Sequence, residues 1–288
     1  MRNNIGQSET FKNAITELDE LSADGFFGKD VKHLMKKRDN TEITEFLFEI
    51  LNNWCEDDNQ FQKDNVKDLM AVFLEMFIEV FKIGKQEAID VITAFFIGTR
   101  DNPELEFMSA YTEFAFSYTN FKTMVHEIDS SKLADRKRYA NVISNTYSKG
   151  VEFIGKTLVT CIILKKIIAG KSYNYYGVYN LTLAKKLEAL TSDKNADHKK
   201  LVSIINRNLR NSEAHLSLTF NHITNEYILK KTAKGKIKTE KISAEKMIVE
   251  LLIGVGNYAQ AFLYAGVLFT LAHEDKELFI KIMQKIYN

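Results

Sequence analysis

The sequence contains few residues that break helices or form turns. It has one proline, Pro103, and 13 glycines among 288 residues. β-Sandwiches and Rossmann folds need many turns, so this scarcity argues against both and predicts a mostly helical chain. Cysteine is scarce too, because Cys55 and Cys161 cannot supply a disulfide framework or a cysteine-rich zinc site. We therefore expect a protein of the reducing cytoplasm.

Uncharged runs of membrane-spanning length are limited to one segment. Residues 251–272 form 22 consecutive residues without a charge, which as a helix would be about 33 Å long. Asn257 and Gln260 lie at its centre, and the N-terminal residues lack the apolar region of a signal peptide. We interpret the segment as a helix buried inside a bundle and expect no membrane partner.

The charges are unevenly distributed, although the formal net charge is only +1. Residues 41–130 carry 6 basic and 18 acidic groups, whereas residues 131–241 carry 22 basic and 8 acidic groups. A hydrophobic fraction of 45% excludes a disordered chain. We predict an acidic helical region over 1–130, with a regulatory or sensing role, and a second domain over 131–288. The acidic surface covers a basic groove, or the two solvated faces simply attract each other inside one fold, and both can hold at once.

Hydrophobic periodicity predicts helices along most of the chain, as in VKDLMAVFLEMFIEVF, where apolar residues recur every three or four positions. The Asp101–Pro103 sequence predicts a helix start, and Asp129–Ser131 is the candidate domain boundary. The expected helices cover residues 8–22, 29–38, 41–54, 63–82, 85–98, 103–126, 132–169, 180–191, 197–217, 243–272 and 275–287. Between the helices at 197–217 and 243–272, two strand-like segments flank Thr232–Gly235 and predict a β-hairpin.

The motif Arg210-Asn211-Ser212-Glu213-Ala214-His215 lies late in the helix expected at 197–217. Asn211 and His215 are four residues apart and would share one helical face, with Arg207 continuing the row. Histidine can transfer protons near neutral pH, and arginine can hold a phosphate bidentately. These groups can cleave RNA without a metal: histidine moves the proton of the 2′-hydroxyl or of the leaving 5′-oxygen, arginine stabilises the growing charge, and asparagine orients either partner.

In its motif and in the order of its elements, the segment 131–288 resembles the HEPN superfamily of higher eukaryotic and prokaryotic nucleotide-binding domains. Ribonucleases of that family carry R-x4-6-H, often as R-N-x3-H, late in one helix of a compact bundle. Two helices precede the motif here, and a hairpin and a further long helix follow it. Leu216 departs from the Gly or Asn that the family often has after the histidine. The resemblance implies an all-α fold with a small β-hairpin insert.

The resemblance also implies an activity and a site. HEPN ribonucleases act as homodimers, cleave RNA through its own 2′-hydroxyl and leave 2′,3′-cyclic phosphates, without a metal or other cofactor. Such enzymes include toxins and antiviral defence effectors. The catalytic role is carried over to Arg210 and His215, with Asn211 as support. RNA and a regulatory or antitoxin protein are the expected partners besides a second copy of the chain.

Further basic and aromatic residues leave two interpretations open. Arg207 is either a solvated helix residue or a phosphate contact. The hairpin lysines, among them Lys230, Lys231 and Lys234, either protect an exposed edge from aggregation or bind RNA phosphates. The tyrosines of KSYNYYGVYN (residues 171–180) either stack RNA bases or pack between helices, and we favour packing. His198, His215 and His222 show no zinc-ligand spacing, and Asp197, beside His198, is expected to cap the helix that begins there.

Two other functions remain open for the same segment. One is a non-catalytic HEPN-like module that binds nucleotides or a partner protein through Arg210 and His215. The other is an antitoxin-like partner of a nucleotidyltransferase. Cleavage that depends on His215 would separate an enzyme from a binding module, and the neighbouring gene would reveal a nucleotidyltransferase.

Overall fold

The computed structural model describes residues 8–24, 26, 29–57, 62–214, 217–233 and 236–287. Over these residues the chain is mostly helical and carries one small antiparallel sheet. The prediction of a helical bundle with a small β insert is therefore confirmed. The acidic region supplies α1 (Glu9–Ala23), α2 (Lys29–Met35), α3 (Ile43–Glu56), α4 (Lys63–Ile83), α5 (Lys85–Ile97) and α6 (Met108–Glu127).

The second half begins with a helix of 36 residues, α7 (Leu133–Ile168), which is the longest of the described helices. Short helices and the sheet follow before two long C-terminal helices. In chain order these elements are α8 (Tyr175–Tyr179), α9 (Leu183–Thr191), α10 (Ala196–Val202), α11 (Arg207–Ala214), β1 (Leu218–Asn221), β2 (Glu226–Ala233), β3 (Lys236–Ser243), α12 (Ile253–Glu274) and α13 (Lys276–Tyr287).

The core is built around α7 and α12, which are buried along most of their length. Val151, Ile154 and Leu158 of α7 are fully buried, as are Val255 and Leu268 of α12. Both helices pack against α4, and α6 packs along α7. A helix that is apolar on most sides needs neighbours on most sides, so α7 and α12 lie at the centre of the bundle.

Side chains from residues 1–130 and from residues 131–288 meet in one buried cluster. Trp54 of α3 contacts Tyr264 of α12 edge to face, with ring centres 5.3 Å apart. Phe73 of α4 packs in the same way against Tyr258 and Phe262 of α12. The proposed division at residue 130 falls in the connection between α6 and α7, and the helices on its two sides share this core.

Ion pairs at the surface also join the acidic residues 41–130 to the basic residues 131–241. Lys200 of α10 lies 2.6 Å from Asp68 of α4, and Lys149 of α7 lies 2.7 Å from Glu113 of α6. These contacts agree with attraction between two oppositely charged faces. That the acidic region covers a basic RNA groove remains a prediction.

Among the described residues, one helix, Lys246–Glu274, is long and apolar enough to cross a membrane. It consists of a π-helical segment, Lys246–Leu252, followed directly by α12. Its central amides have partners within the protein, because Asn257 donates to the Gln62 side chain at 2.7 Å and Gln260 donates to the Tyr264 hydroxyl at 3.2 Å. The helix packs into the bundle, as the sequence interpretation expects.

The sheet has the order β1–β2–β3 with antiparallel neighbours. Tyr227, Leu229 and Ile242 form its buried face, and the Tyr227 hydroxyl donates to the carbonyl of Ala140 in α7 at 2.9 Å. The predicted hairpin corresponds to β2 and β3. Strand β1, which was not expected from the sequence, adds a third strand and joins the sheet to α11.

Two local predictions are corrected by the structure. The single helix expected over 197–217 is two helices, α10 and α11, separated by residues 203–206. Pro103 begins a separate 3-10 turn, Pro103–Leu105, and α6 begins only at Met108. The tyrosine-rich segment contains a helical turn of its own, α8, which Asn174 caps by accepting from the amide of Gly177 at 2.9 Å.

Candidate functional site

The helix that carries the motif begins at a capped and anchored end. The Asn206 side chain accepts a hydrogen bond from the amide of Leu209 at 3.0 Å, as an N-cap residue does. The Tyr147 hydroxyl of α7 accepts from the Asn206 amide at 2.7 Å and donates to the Ile204 carbonyl at 2.9 Å. One tyrosine of α7 therefore fixes both sides of the break between α10 and α11.

Burial then decides which residues α11 presents to solvent. Leu209 and Ser212 are buried against the bundle, whereas Arg207 and Asn211 are exposed. Since Arg207 and Asn211 are four residues apart, they share one face of the short helix. The predicted row of functional side chains from Arg207 to Asn211 is therefore present on the surface.

Arg210 is held against α7 by a carboxylate. Its Nε and Nη2 atoms both contact Oε1 of Glu152. Its Nη1 atom donates to Oδ1 of Asn211 at 3.3 Å. The Arg210 side chain is about one-third exposed, so this arrangement fixes the orientation of the guanidinium on a partly exposed side chain. The structure thus brings together two of the three predicted catalytic residues and adds Glu152, which the sequence analysis missed.

Glu213 is the acidic residue within the motif, and it faces the protein. Burial raises the pKa of its carboxyl above the usual value, and a hydrogen bond with Ser144 of α7 acts in the opposite direction. Its half-buried carboxyl therefore points away from the exposed row of Arg207 and Asn211 and helps to anchor α11 on α7. We assign it no chemical role.

His215, the third predicted catalytic residue, and Leu216 lie outside the described residues. The chain is described again from Ser217, whose amide donates to the Ser212 carbonyl at 2.8 Å. The Ser217 carbonyl in turn accepts from the amide of Lys230 at 3.1 Å. The end of α11 is thereby tied to β2.

The predicted RNA-binding residues have different surroundings. Arg207 lines an open hollow of about 550 Å³ together with Asn208, Glu240 and Lys246. Glu240 accepts from Asn208 at 3.1 Å and from Lys231 at 2.8 Å. The bond from Lys231 is the main cause that lowers the pKa of Glu240.

Lys231 is therefore paired with a carboxylate beside the hollow, whereas Lys230 is exposed. Lys234 lies outside the described residues. Glu240, the partner of Lys231, lines the same hollow as Arg207. Its carboxylate makes the hollow less favourable for a phosphate than a cluster of unpaired cations would be.

The other histidines considered in the sequence have structural partners. Nδ1 of His198 lies 2.9 Å from Asp193, which also binds Lys165 at 3.1 Å. The cap of α10 is Asn195, which accepts from the Asp197 amide at 2.8 Å, so the expected capping role of Asp197 is wrong. The backbone carbonyl of His222 accepts from Arg136 at 3.1 Å.

Within the described ranges, no group of three or more His, Cys, Asp and Glu side chains is arranged to hold a metal ion.

The tyrosines divide between packing and exposure. Tyr173, Tyr175 and Tyr179 pack against the hydrophobic core, which agrees with the favoured interpretation for these three. Tyr176 is different, because 60% of its surface is exposed.

Comparison with protein-family models, with characterised proteins and with solved structures finds no match for this chain.

Proposed function

We propose that this chain is a metal-independent endoribonuclease of the HEPN type. Residues 131–288 would be its HEPN-like domain, and the whole would work as a cytoplasmic homodimer, as a toxin or an antiviral defence effector. The observation that carries the proposal is the placement of Arg210. It is an oriented and accessible guanidinium on a short surface helix, beside Asn211 and five residues before His215.

The chemistry follows from these groups. The 2′-hydroxyl oxygen of a ribose attacks the adjacent phosphorus, and the bond from phosphorus to the 5′-oxygen of the next nucleotide breaks. The products are a 2′,3′-cyclic phosphate and a free 5′-hydroxyl, so the reaction consumes no water. His215 accepts the 2′-hydroxyl proton or donates one to the 5′-oxygen, since an imidazole titrates near neutral pH.

Arg210 stabilises the negative charge that grows on the phosphate oxygens during this attack. A planar guanidinium suits a phosphate because it can donate two parallel hydrogen bonds. Glu152 supports this role by accepting from Nε and Nη2 of Arg210, and the Asn211 side chain accepts from Nη1. Holding a side chain in one orientation before the substrate arrives lowers the entropic cost of reaching the transition state.

A dimer would place two such sites around one dyad. Two arginine-bearing edges facing each other repel, and a phosphate between them removes the repulsion. The arrangement therefore favours RNA bound between the two copies of α11. We propose RNA as the substrate, no cofactor, and a regulatory or antitoxin protein as a further partner.

The test is RNA cleavage in EDTA by purified wild-type protein, His215→Ala and Arg210→Ala, with analysis of the product ends. We expect cyclic phosphate ends from the wild type and a loss of about 100-fold or more in both variants, the typical contribution of an acid–base group or of a charge-stabilising donor. His222→Ala is the matched control and should cleave as the wild type does. Equal cleavage by His215→Ala would contradict the proposal.

The ion pair between Arg210 and Glu152 favours one alternative. A carboxylate neutralises much of the charge that a catalytic arginine uses, and this is compatible with a HEPN-like module that binds RNA, a nucleotide or a protein without cleaving RNA. Binding that depends on Arg210, with no cleavage of structured or transfer RNAs by the wild type, would support that module. An antitoxin-like role predicts a neighbouring gene for a nucleotidyltransferase.

A further inference from the structure

Two lysine ammonium groups lie close together beside the candidate site. Lys156 of α7 has its Nζ 4.7 Å from the ring centre of Tyr179 and 3.5 Å from the Tyr179 hydroxyl. Lys186 of α9 has its Nζ 5.9 Å from the same ring centre. Only 7% of Lys186 is exposed, and its ammonium donates to the carbonyl of Gly155 at 3.1 Å.

Two neighbouring ammonium groups, one of them buried, destabilise the protein when no anion is bound to them. Burial, together with the positive charge of Lys156, lowers the pKa of Lys186 to about 8. Glu152 is the acidic group that opposes this effect, but its carboxylate is bound to Arg210. A buried cation without its own counterion is stabilised when an anion reaches it. The pair is therefore suited to an anionic ligand.

Aromatic rings next to the lysines form a nearly parallel series. Phe107 and Tyr179 have ring centres 6.0 Å apart and planes 6° apart. Tyr179 and Tyr176 follow at 6.3 Å and 12°. The end of the series is Tyr176, the exposed ring. Single-stranded nucleic acids bind to such surfaces because a base can stack on an exposed ring while lysines contact the phosphates.

The lysines are also continuous with the proposed catalytic helix. Glu152 and Lys156 are four residues apart on α7, so they lie on one face and about 6 Å apart along the axis. Arg210 is bound to the first of them, and Lys186 approaches the second from α9. A strand held at Arg210 can therefore continue along α7 toward the tyrosines.

We propose that Lys156 and Lys186 bind a backbone phosphate of the RNA strand next to Arg210, and that Tyr176 stacks a neighbouring base. The RNA identity of the ligand rests on the proposed function. The site itself is a phosphate site beside an aromatic ring, and its occupancy does not require cleavage.

The experiment measures binding of a short fluorescent single-stranded 2′-O-methyl RNA to the full chain over a series of salt concentrations. This RNA lacks the attacking hydroxyl and stays intact. We expect Lys156→Met and Lys186→Met each to weaken binding about tenfold and to reduce the salt slope by at most about 0.7, the contribution of one phosphate of a single strand. Tyr176→Ala should weaken binding about fivefold or more, whereas Tyr176→Phe keeps the ring and should bind within about twofold of the wild type.

Lys281→Met is the matched control for the lysine variants, because its ammonium also lies over a ring, 5.0 Å from the centre of Phe48. It should keep the wild-type affinity and salt slope. If burial makes Lys186→Met unstable, the more exposed Lys156 and Tyr176 carry the test. Unchanged affinity and slope in Lys156→Met and Tyr176→Ala, or no binding by the wild type, would overturn the proposal.

Two further comparisons separate this proposal from the proposed function. Reduced binding in the lysine variants without cleavage of natural RNA by the wild type would support the site and reject the nuclease. Cleavage that depends on Arg210, together with wild-type binding by the lysine variants, would support the nuclease and reject the phosphate site. Full competition by adenosine monophosphate at equal concentration would identify a free nucleotide as the ligand and overturn the assignment to an RNA strand.

Discussion

At the scale of single residues, Glu152 is the side chain on which the candidate site depends most directly. It contacts two nitrogen atoms of Arg210, whose side chain stays about one-third exposed. Arginine side chains have many rotamers, and fixing one before RNA binds removes an entropic cost from the reaction. We therefore interpret Glu152 as a positioning residue for Arg210.

We expect Glu152→Ala to lower the cleavage rate at saturating RNA about tenfold or more, because Arg210 would lose its fixed orientation. Glu152→Gln keeps an oxygen that accepts from the guanidinium and should lose less. The measurement is kcat and KM on a short RNA, with the Tm of each variant to detect unfolding. Glu188→Ala removes an exposed carboxylate from the neighbouring helix α9 and serves as the control.

A faster reaction in Glu152→Ala would contradict the positioning role and would mean that the ion pair restrains Arg210. The sequence could not reveal this residue, because Glu152 and Arg210 are 58 positions apart. In the sequence, Glu152 stood out only as one of the 8 acidic residues in the segment 131–241, which also carries 22 basic residues. Arg210 and Asn211, by contrast, were predictable because their motif is local.

At the scale of elements, α11 is short, and its start depends on contacts that are easily tested. Eight residues cannot form a stable helix alone in water, so its stability must come from capping and packing. Asn206 provides the cap, and Tyr147 holds the preceding turn. The position of Arg210, one turn into the helix, depends on both.

We expect Asn206→Ala to destabilise the first turn of α11 by about 1 kcal/mol, since the Leu209 amide loses its acceptor. Hydrogen exchange at Leu209 should then become about fivefold faster, and cleavage should fall with it. Asn206→Ser retains a good N-cap side chain and should stay near the wild type. Wild-type exchange in the alanine variant would show that the cap does not stabilise this turn.

The sequence predicted most helices well and missed the break that creates α11. Long helices such as α4 and α7 follow from apolar residues repeated every three or four positions, and their observed ends lie within one or two residues of the expected ones. Residues 203–206 contain neither proline nor glycine. Their non-helical conformation is fixed by Tyr147, 57 and 59 positions away from its two partners, and local sequence carries no trace of such a contact.

At the scale of the whole molecule, the uneven charge and the shared core give different views of its organisation. The charge pattern separates residues 41–130 from residues 131–241, whereas helices from both regions pack around α7 and α12. Deleting residues 1–130 would expose the buried faces of these two helices. Point substitutions are therefore a better test of whether the two regions are independent.

Gly150 offers such a substitution, because it lies in α7 where α12 and α6 approach closely. A Cβ atom at this position would overlap Cγ1 of Val255 and lie 2.9 Å from the Phe114 ring. Gly150→Ala should destabilise the fold by about 1–3 kcal/mol, as other overpacking changes do, and lower Tm by several degrees. Gly155→Ala is the matched control in the same helix, since its Cβ would make an ordinary 3.5 Å contact with Leu183.

The thermal transition should be followed by circular dichroism and by the fluorescence of Trp54, the single tryptophan. Trp54 belongs to the acidic region and contacts Tyr264 of α12, so its emission reports on the packing between the two regions. We expect Gly150→Ala to shift both signals by the same amount, because one core unfolds as one unit. A Trp54 transition that stays in place while the circular dichroism transition moves would show that residues 1–130 unfold independently.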